Sequence, residues 1–154
     1  MLLSDEHFMK QALLEAHKAY EEGEVPIGAV IVMQDKIIAR GYNLVEKLND
    51  STAHAEILAL TSAYNFLGAK YLPDATLYVT IEPCLMCAGA LYWSKIGKIV
   101  YAADDVKNGA LNLILSKSEE GIRKKILHPK TKIAKGICKD ECAALMQQFF
   151  KARR

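Results

Sequence analysis

The chain has 154 residues with a net charge of +2, and its 51% hydrophobic and 25% charged content is typical of one globular domain with a real core. No apolar stretch approaches the ~20 residues that a membrane-spanning helix needs, and the acidic start Met1–Gln11 lacks the basic and apolar regions of a signal peptide. We therefore expect a single domain over residues 1–154, located in the cytoplasm and without contact to a membrane.

A helix and a β-hairpin are predicted at the start of the chain. Ser4 is suited to cap the helix, and apolar side chains recur at helical spacing until Gly23. The apolar run Gly28–Met33 predicts a buried strand, and Ile37–Tyr42 predicts a second. The turn between them, residues 34–36, is so short that the two strands must pair in the antiparallel direction.

Helices and strands alternate through the rest of the chain. Turn and cap residues 49–52 precede a helix from His54 to about Leu67, and the next predicted elements are a strand at Ala75–Ile81, a helix from Cys84 to about Ser94 and a strand at Ile99–Ala102. A polar loop covers residues 104–108, no single element is favoured from 109 to 127, and a fifth strand (Lys132–Ile137) and a last helix (Asp140–Arg154) follow.

This order of elements predicts an α/β fold. Strands joined through helices are expected to be parallel neighbours, and the hairpin adds an antiparallel edge. The expected architecture is a three-layer α-β-α sandwich with a mixed five-stranded sheet.

The positive charge is concentrated near the C-terminus. Residues 117–154 carry a net +7, whereas residues 1–116 carry −5. A basic segment is typical of a polyanion-binding surface, although charge alone favours a solvated helix face.

Three residues of types that bind zinc occur at informative positions. Cys84 and Cys87 are separated by one helical turn at the start of a predicted helix, so both sulfurs can reach one atom. His54 begins another predicted helix and supplies a third donor. No fourth ligand is evident nearby, and an open fourth position is typical of a catalytic rather than a structural zinc site.

Glu56 is the candidate for moving protons beside that metal. Zinc lowers the pKa of bound water, and an adjacent carboxylate can accept the released proton. Residues i and i+2 in the middle of a helix point about 200° apart, so Glu56 can face the site with His54 only if both lie at the helix start.

Other interpretations of the cysteines are weaker. A thioredoxin-like protein would have its CxxC pair after the first strand, without an upstream His-x-Glu. A structural zinc site would need a fourth Cys or His, for which Cys138 and Cys142 are the candidates. We favour these two as buried small side chains.

The combination of motifs resembles the cytidine/deoxycytidylate deaminase superfamily, and within it the bacterial tRNA-specific adenosine deaminases. The resemblance covers nearly the whole chain. The segments that carry it are Glu24–Val30, Gly41–Asn43, Thr52–Ile57, Ala75–Ala90 and Asp140–Leu145, with Phe149, Phe150 and the basic tail.

The resemblance implies a cytidine-deaminase-like fold and hydrolytic deamination of adenosine to inosine at the wobble position of an arginine tRNA. One zinc ion per subunit would carry the hydroxide that attacks C6 of adenine, with Glu56 as the proton shuttle. The implied partners are a tRNA anticodon stem-loop and a second subunit of a homodimer.

The resemblance also implies the substrate contacts. Asn43 matches a position that hydrogen-bonds the base, and Asp105 and Lys107 match a loop that touches the anticodon backbone. Phe150 and Arg154 match positions near the flanking nucleotides, and an exposed phenylalanine there could stack on a base.

Two other functions share some of these residues. A deaminase of a free base or nucleotide, such as guanine or dCMP, would have the same metal ligands and differ in its loops and last helix. A zinc-stabilised RNA-binding module would use the metal without catalysis and would not need Glu56.

Overall fold

One mixed sheet organises the computed structural model, which describes residues 2–112 and 126–153. Most of the stretch from Gly109 to Leu127, including residues 117–125 of the basic segment, and Arg154 lie outside this range. The strands are β1 (Gly28–Met33), β2 (Lys36–Tyr42), β3 (Ala75–Ile81), β4 (Lys98–Ala103) and β5 (Lys132–Lys135). The helices beside them are α1 (Asp5–Glu21), α2 (Val45–Leu48), α3 (Ala55–Leu67), α4 (Leu85–Ser94) and α5 (Lys139–Ala152).

Local sequence signals explain the first elements. The Ser4 hydroxyl accepts a hydrogen bond from the His7 amide at 3.1 Å, so the predicted cap of α1 is confirmed. The hairpin turn has two residues rather than the predicted three. Gln34 and Asp35 both have positive φ, 51° and 63°, as a tight hairpin turn requires, and Lys36 already belongs to β2.

The strand order β2-β1-β3-β4-β5 corrects one part of the predicted topology. β3 and β4, which are joined through α4, are parallel neighbours as predicted, and β5 lies parallel to β4. β2 and β3 are joined through α3 but are not neighbours, because β1 lies between them and pairs antiparallel with both. Residues Gly28–Val32 of β1 are buried, and a buried apolar strand needs a partner at each edge.

Alternation along the strands creates the two outer layers. In β1, Ala29 and Ile31 belong to the core beneath α3 and α4. Val30 and Val32 face the other way and pack with α1 and with Cys142 of α5. The predicted three-layer sandwich is therefore confirmed.

Some element boundaries differ from the prediction. The short helix α2 was not predicted, and it separates β2 from the helix that follows His54. β5 ends at Lys135 because Gly136 and Cys138 have positive φ (98° and 59°), and α5 begins directly after them. No helix within the described ranges is both long and apolar enough to cross a membrane.

Gly41 allows α3 to pack closely on β2, and its replacement by alanine tests that contact. A Cβ there would lie 2.6 Å from the Ala55 carbonyl oxygen and 2.9 Å from the Ala59 nitrogen. We expect Gly41→Ala to lower the free energy of unfolding by about 1–3 kcal/mol, because the added methyl overpacks the interface. Urea unfolding measures the change.

Gly89 provides the matched control, because a Cβ on this residue of α4 would meet nothing within 4 Å. Gly89→Ala should stabilise the helix by about 0.5–1 kcal/mol. Equal unfolding midpoints for the two variants would contradict the assigned role of Gly41.

Candidate metal centre and substrate cavity

The side chains of His54, Cys84 and Cys87 meet at one point. Their donor atoms lie within 4.8 Å of one another, and His54 Nδ1 is 3.6 Å from Cys84 Sγ and 3.5 Å from Cys87 Sγ. A tetrahedral zinc ion with Zn–S bonds of ~2.3 Å and a Zn–N bond of ~2.0 Å separates nitrogen from sulfur by about 3.5 Å. The three residues therefore fit zinc in both donor type and spacing.

Two helix N-termini position these donors. His54 and Cys84 were predicted as the first helical residues, but each is the N-cap, with extended backbone at φ −76° and −74°. Cys87 lies one turn into α4 and is fully buried. The free N–H groups of a helix start favour negative charge, so this location suits a thiolate.

The two cysteine side chains differ in their pKa. The pKa of Cys84 is lowered to about 4, first because its sulfur accepts a hydrogen bond from Cys87 and then because of His54. The pKa of Cys87 is raised, because its thiol donates that hydrogen bond and is buried. The Cys84 sulfur is thus ready to act as a metal ligand.

Glu56 lies in the first turn of α3, and its side chain is buried. Because His54 is the N-cap and not a mid-helix residue, the expected 200° divergence between residues i and i+2 does not apply. Burial raises the pKa of Glu56, and the nearby His54 imidazole opposes that rise only in part. A buried carboxyl group with a raised pKa beside a metal-type donor group is a candidate for proton transfer.

The other two cysteines lie elsewhere. Cys142 is 1% exposed and belongs to the core on the α1 side of the sheet, opposite α3 and α4. Cys138 packs against the same core. Among the described residues, the metal-type group is confined to three members, and a structural zinc site that includes Cys138 or Cys142 is contradicted by this placement.

A cavity of about 970 Å³ opens beside the three donors. Four of the predicted substrate contacts line it together with Glu56, and the fifth, Arg154, is outside the described residues; the four are Asn43, Asp105, Lys107 and Phe150. The volume is within the range of small-molecule sites, and the open side leaves room for a larger substrate.

Asn43 differs from an ordinary turn residue. Its side chain is 6% exposed, and its Nδ2 donates a 3.4 Å hydrogen bond to the Val25 carbonyl. Its Oδ1 is buried and is without a hydrogen-bond partner in the described part of the chain. An orphaned acceptor costs free energy in the empty protein, so this atom is available for a substrate donor.

The last helix presents two adjacent aromatic residues differently. Phe149 is 6% exposed and packs edge-on against Tyr20, whereas Phe150 is 46% exposed. Adjacent residues of a helix point in different directions, so only one of the two faces the core. Phe150 therefore has a free ring surface at the cavity.

Three further residues of the cavity wall were not predicted from the sequence. Glu24 and Glu82 are buried carboxylates, and Arg153 donates a 2.7 Å hydrogen bond to the Gly23 carbonyl. Glu24 accepts the amides of Glu46 and Lys47 at 3.0 and 2.8 Å, which holds the start of α2. Both glutamates lie within the family-like segments, but only the folded chain reveals their partners.

The chain is similar to known deaminases along its whole length. A family model described as MafB19-like deaminase matches residues 3–154. The tRNA-specific adenosine deaminase of Bacillus subtilis is 42% identical over 153 residues, which cover 99% of this chain and 92% of that protein. The chloroplastic tRNA(adenine(34)) deaminase of Arabidopsis thaliana is 46% identical over 161 residues, but the match spans only 12% of the plant protein.

Solved structures give the same picture. A structure from work on A-to-I editing by tRNA:A34 deaminases has a TM-score of 0.82 and 42% identity, covering 90% of this chain and 98% of its own. A guanine deaminase from Nitrosomonas europaea has a TM-score of 0.78 and 25% identity, covering 97% of this chain and 86% of its own.

Replacing any of the three donors should release the metal. We expect His54→Ala, Cys84→Ser and Cys87→Ser each to reduce bound zinc from about one ion per chain to a small fraction, because a catalytic site has only three protein ligands. Metal content after gel filtration measures this. Cys138→Ser is the matched control and should retain the zinc; loss of metal from it alone would contradict the assignment.

Proposed function

Because the chain belongs to the MafB19-like deaminase family, we propose that it hydrolytically deaminates adenosine to inosine at the wobble position of tRNA. The observation that carries the proposal is the three-donor group beside buried Glu56, at the wall of an open cavity. Bacterial relatives that match over nearly their full length are tRNA-specific adenosine deaminases, which supports this substrate. We propose an arginine tRNA and a cytoplasmic location on the resemblance alone.

We propose that His54, Cys84 and Cys87 hold one zinc ion per subunit. When bound, zinc is a Lewis acid that lowers the pKa of water toward ~7, so that water becomes a nucleophile at neutral pH. The chain supplies the proton transfers. Glu56 accepts a proton as water adds to C6 of adenine and delivers it to N1. It then takes the proton of the new C6 hydroxyl and transfers it to the amino group, so that the C6–N bond breaks, ammonia leaves and the C6 carbonyl of inosine forms.

The burial of Glu56 suits this work. Its carboxylate is shielded from bulk water, so the proton it accepts stays beside the base instead of exchanging with solvent. Its raised pKa brings proton affinity closer to neutrality, where a group transfers protons most effectively in both directions.

Four of the residues proposed to recognise RNA lie around the cavity that would receive the base. An adenosine in an anticodon loop can leave its stack at low cost and enter the cavity, where the Asn43 Oδ1 is available to a donor on the nucleoside. We assign Asp105 and Lys107 to the adjoining sugar-phosphate backbone, and Phe150 and Arg154 to the flanking nucleotides.

We also propose a homodimer. Helix α4 exposes three large apolar side chains, with Leu85 62% exposed, Met86 37% and Trp93 73%. An apolar surface of this kind is typical of a protein-binding face, and Leu85 and Met86 also line the cavity, so a second subunit bound there would lie close to it. Light scattering tests the stoichiometry.

The second candidate is a deaminase of free bases or nucleotides. The likeness to the guanine deaminase of Nitrosomonas europaea supports it, but at 25% identity against 42% for the tRNA:A34 deaminase structure. The two functions differ in the size of the substrate that the cavity receives. We assign Asp105, Lys107 and Phe150, which line the cavity, to contacts with RNA that a free base would not make.

Glu56→Gln should abolish deamination without emptying the metal site. Loss of the proton carrier is expected to lower kcat by at least about 10²–10⁴-fold. Inosine formed in an anticodon stem-loop of an arginine tRNA measures the rate, and a zinc chelator should stop the wild-type reaction.

Free adenosine, guanine and dCMP are the control substrates for that assay. Activity confined to the free compounds would refute the tRNA proposal in favour of the second candidate. RNA binding by Glu56→Gln without any ammonia release from the wild-type chain would instead indicate a non-catalytic module.

Asn43→Ala should separate substrate binding from stability. We expect KM to rise by about 10-fold, because a buried hydrogen bond to the substrate is lost. The free energy of unfolding should change little, since the substitution also removes an unsatisfied buried acceptor. Asn65→Ala, on the solvent side of α3, is the control and should leave KM unchanged; an equal KM for both variants would contradict the assignment.

A further inference from the structure

Glu82 is a buried carboxylate that has no role in the proposed reaction. It lies between the end of β3 and the Pro83-Cys84 metal-binding segment, and it is 3% exposed. Within residues 2–112 and 126–153, the partners of its carboxylate are N–H donors of the loop that follows β4. Oε1 accepts the Asp105 amide and the Asn112 Nδ2, each at 3.0 Å, and Oε2 accepts the Asn112 amide at 2.9 Å.

These three bonds hold both ends of the loop of residues 104–112. Between the two attachment points, Gly109 passes so close to the Glu82 carboxylate that any added Cβ would collide with it. The backbone adds two connections: the Ala110 amide donates to the Pro83 carbonyl at 3.0 Å, and Gly109 pairs with Cys84 in an isolated bridge. The loop is therefore attached to the segment that carries a metal ligand.

The same loop carries the substrate contacts. Asp105 Oδ1 accepts the amides of Lys107 and Asn108 at 3.2 and 3.0 Å, which closes a turn and orients the Lys107 side of the loop. Asp105 and Lys107 line the cavity together with Cys84. A shift of the loop relative to the metal ligands would move the RNA contacts but not the three donor atoms.

We propose that Glu82 is a positioning residue that holds the RNA-contacting loop in a fixed position relative to the metal-binding segment. This position would determine KM for the RNA substrate. The proposal rests on the function proposed above. A carboxylate is required because each of its three partners donates. A glutamine in its place would turn an NH2 group toward at least one of these N–H groups.

Glu82→Gln tests the proposal in the full-length zinc protein. We expect KM for the anticodon stem-loop to rise about 10- to 100-fold, as for the loss of charge-assisted hydrogen bonds, with kcat within about threefold and zinc content unchanged. Amide hydrogen exchange of Asp105 and Asn112 should accelerate by a similar factor. A fall in kcat at constant KM would overturn the proposal.

A rescue variant distinguishes positioning from general damage. Asn112→Asp turns a donor into an acceptor that can receive the NH2 group introduced by Glu82→Gln, so we expect the double variant to recover part of the lost KM. Failure of the double variant to recover any KM would count against the proposal. Should Glu82→Gln not fold, Asn112→Ala removes one of the three bonds to Glu82 by changing an exposed residue, and it should likewise raise KM.

Glu15→Gln is the matched control. Glu15 is an equally buried carboxylate, 2% exposed, that pairs with Lys18 and Arg40 away from the cavity. It should lose stability without a change in KM; a KM increase equal to that of Glu82→Gln would overturn the proposal. If the wild-type chain deaminated no RNA, the proposed function would fail. Unchanged amide hydrogen exchange of Asp105 and Asn112 in Glu82→Gln would separately refute the anchoring of the loop by Glu82.

Discussion

Three donor atoms from two separate helices must meet with nitrogen and sulfur about 3.5 Å apart, and the fold is arranged around that requirement. His54 and Cys84 meet it as N-caps, so their side chains leave from the ends of α3 and α4 rather than from the sides. Both helices lie on the same face of the sheet, and small side chains in the core let them pack closely on it. These are Ala55, Ala59, Ala63 and Ala88, all at or below 1% exposure. Larger side chains at these positions would overpack the core between the helices and the sheet.

The elements with strong local signals could be predicted from sequence, and their neighbours in space could not. The apolar runs of β1 and β3 give the predicted bounds because a strand buried on both faces is a nearly continuous apolar run with clear ends. The position of β1 between β2 and β3 depends on which strand edges remain unpaired after the hairpin forms. The sequence of a single segment does not determine this strand order. Helix α2, with four residues, is too short to leave a periodic pattern, and its start is held by Glu24 from a distant segment.

The candidate site divides in the same way. The spacing of Cys84 and Cys87 predicts a shared face whether Cys84 is the first helical residue or the cap. The one-residue error in the predicted helix boundary therefore did not affect the predicted metal ligands. The functions suggested for Asn43 and Glu82 depend on what surrounds them. Within the described residues, the Asn43 Oδ1 is an acceptor without a partner, whereas the two carboxylate oxygens of Glu82 accept three N–H groups. Both facts arise only when distant segments pack together. Charge behaves similarly: Lys135 contributes to the basic C-terminal count, yet it pairs with Asp104 at 3.2 Å and is partly neutralised in the fold.

Two buried glutamates at one cavity can then have different chemistry. The oxygens of Glu82 are occupied by N–H donors from a loop, so moving a proton onto them would break the contacts that hold that loop. Glu56 has a pKa raised by burial, and it lies beside His54 at the metal centre. Proton transfer at Glu56 leaves the wall of the cavity in place, whereas proton transfer at Glu82 would not. In the proposed mechanism, this separation would let Glu56 change its charge in each turnover while the cavity wall held by Glu82 keeps its shape.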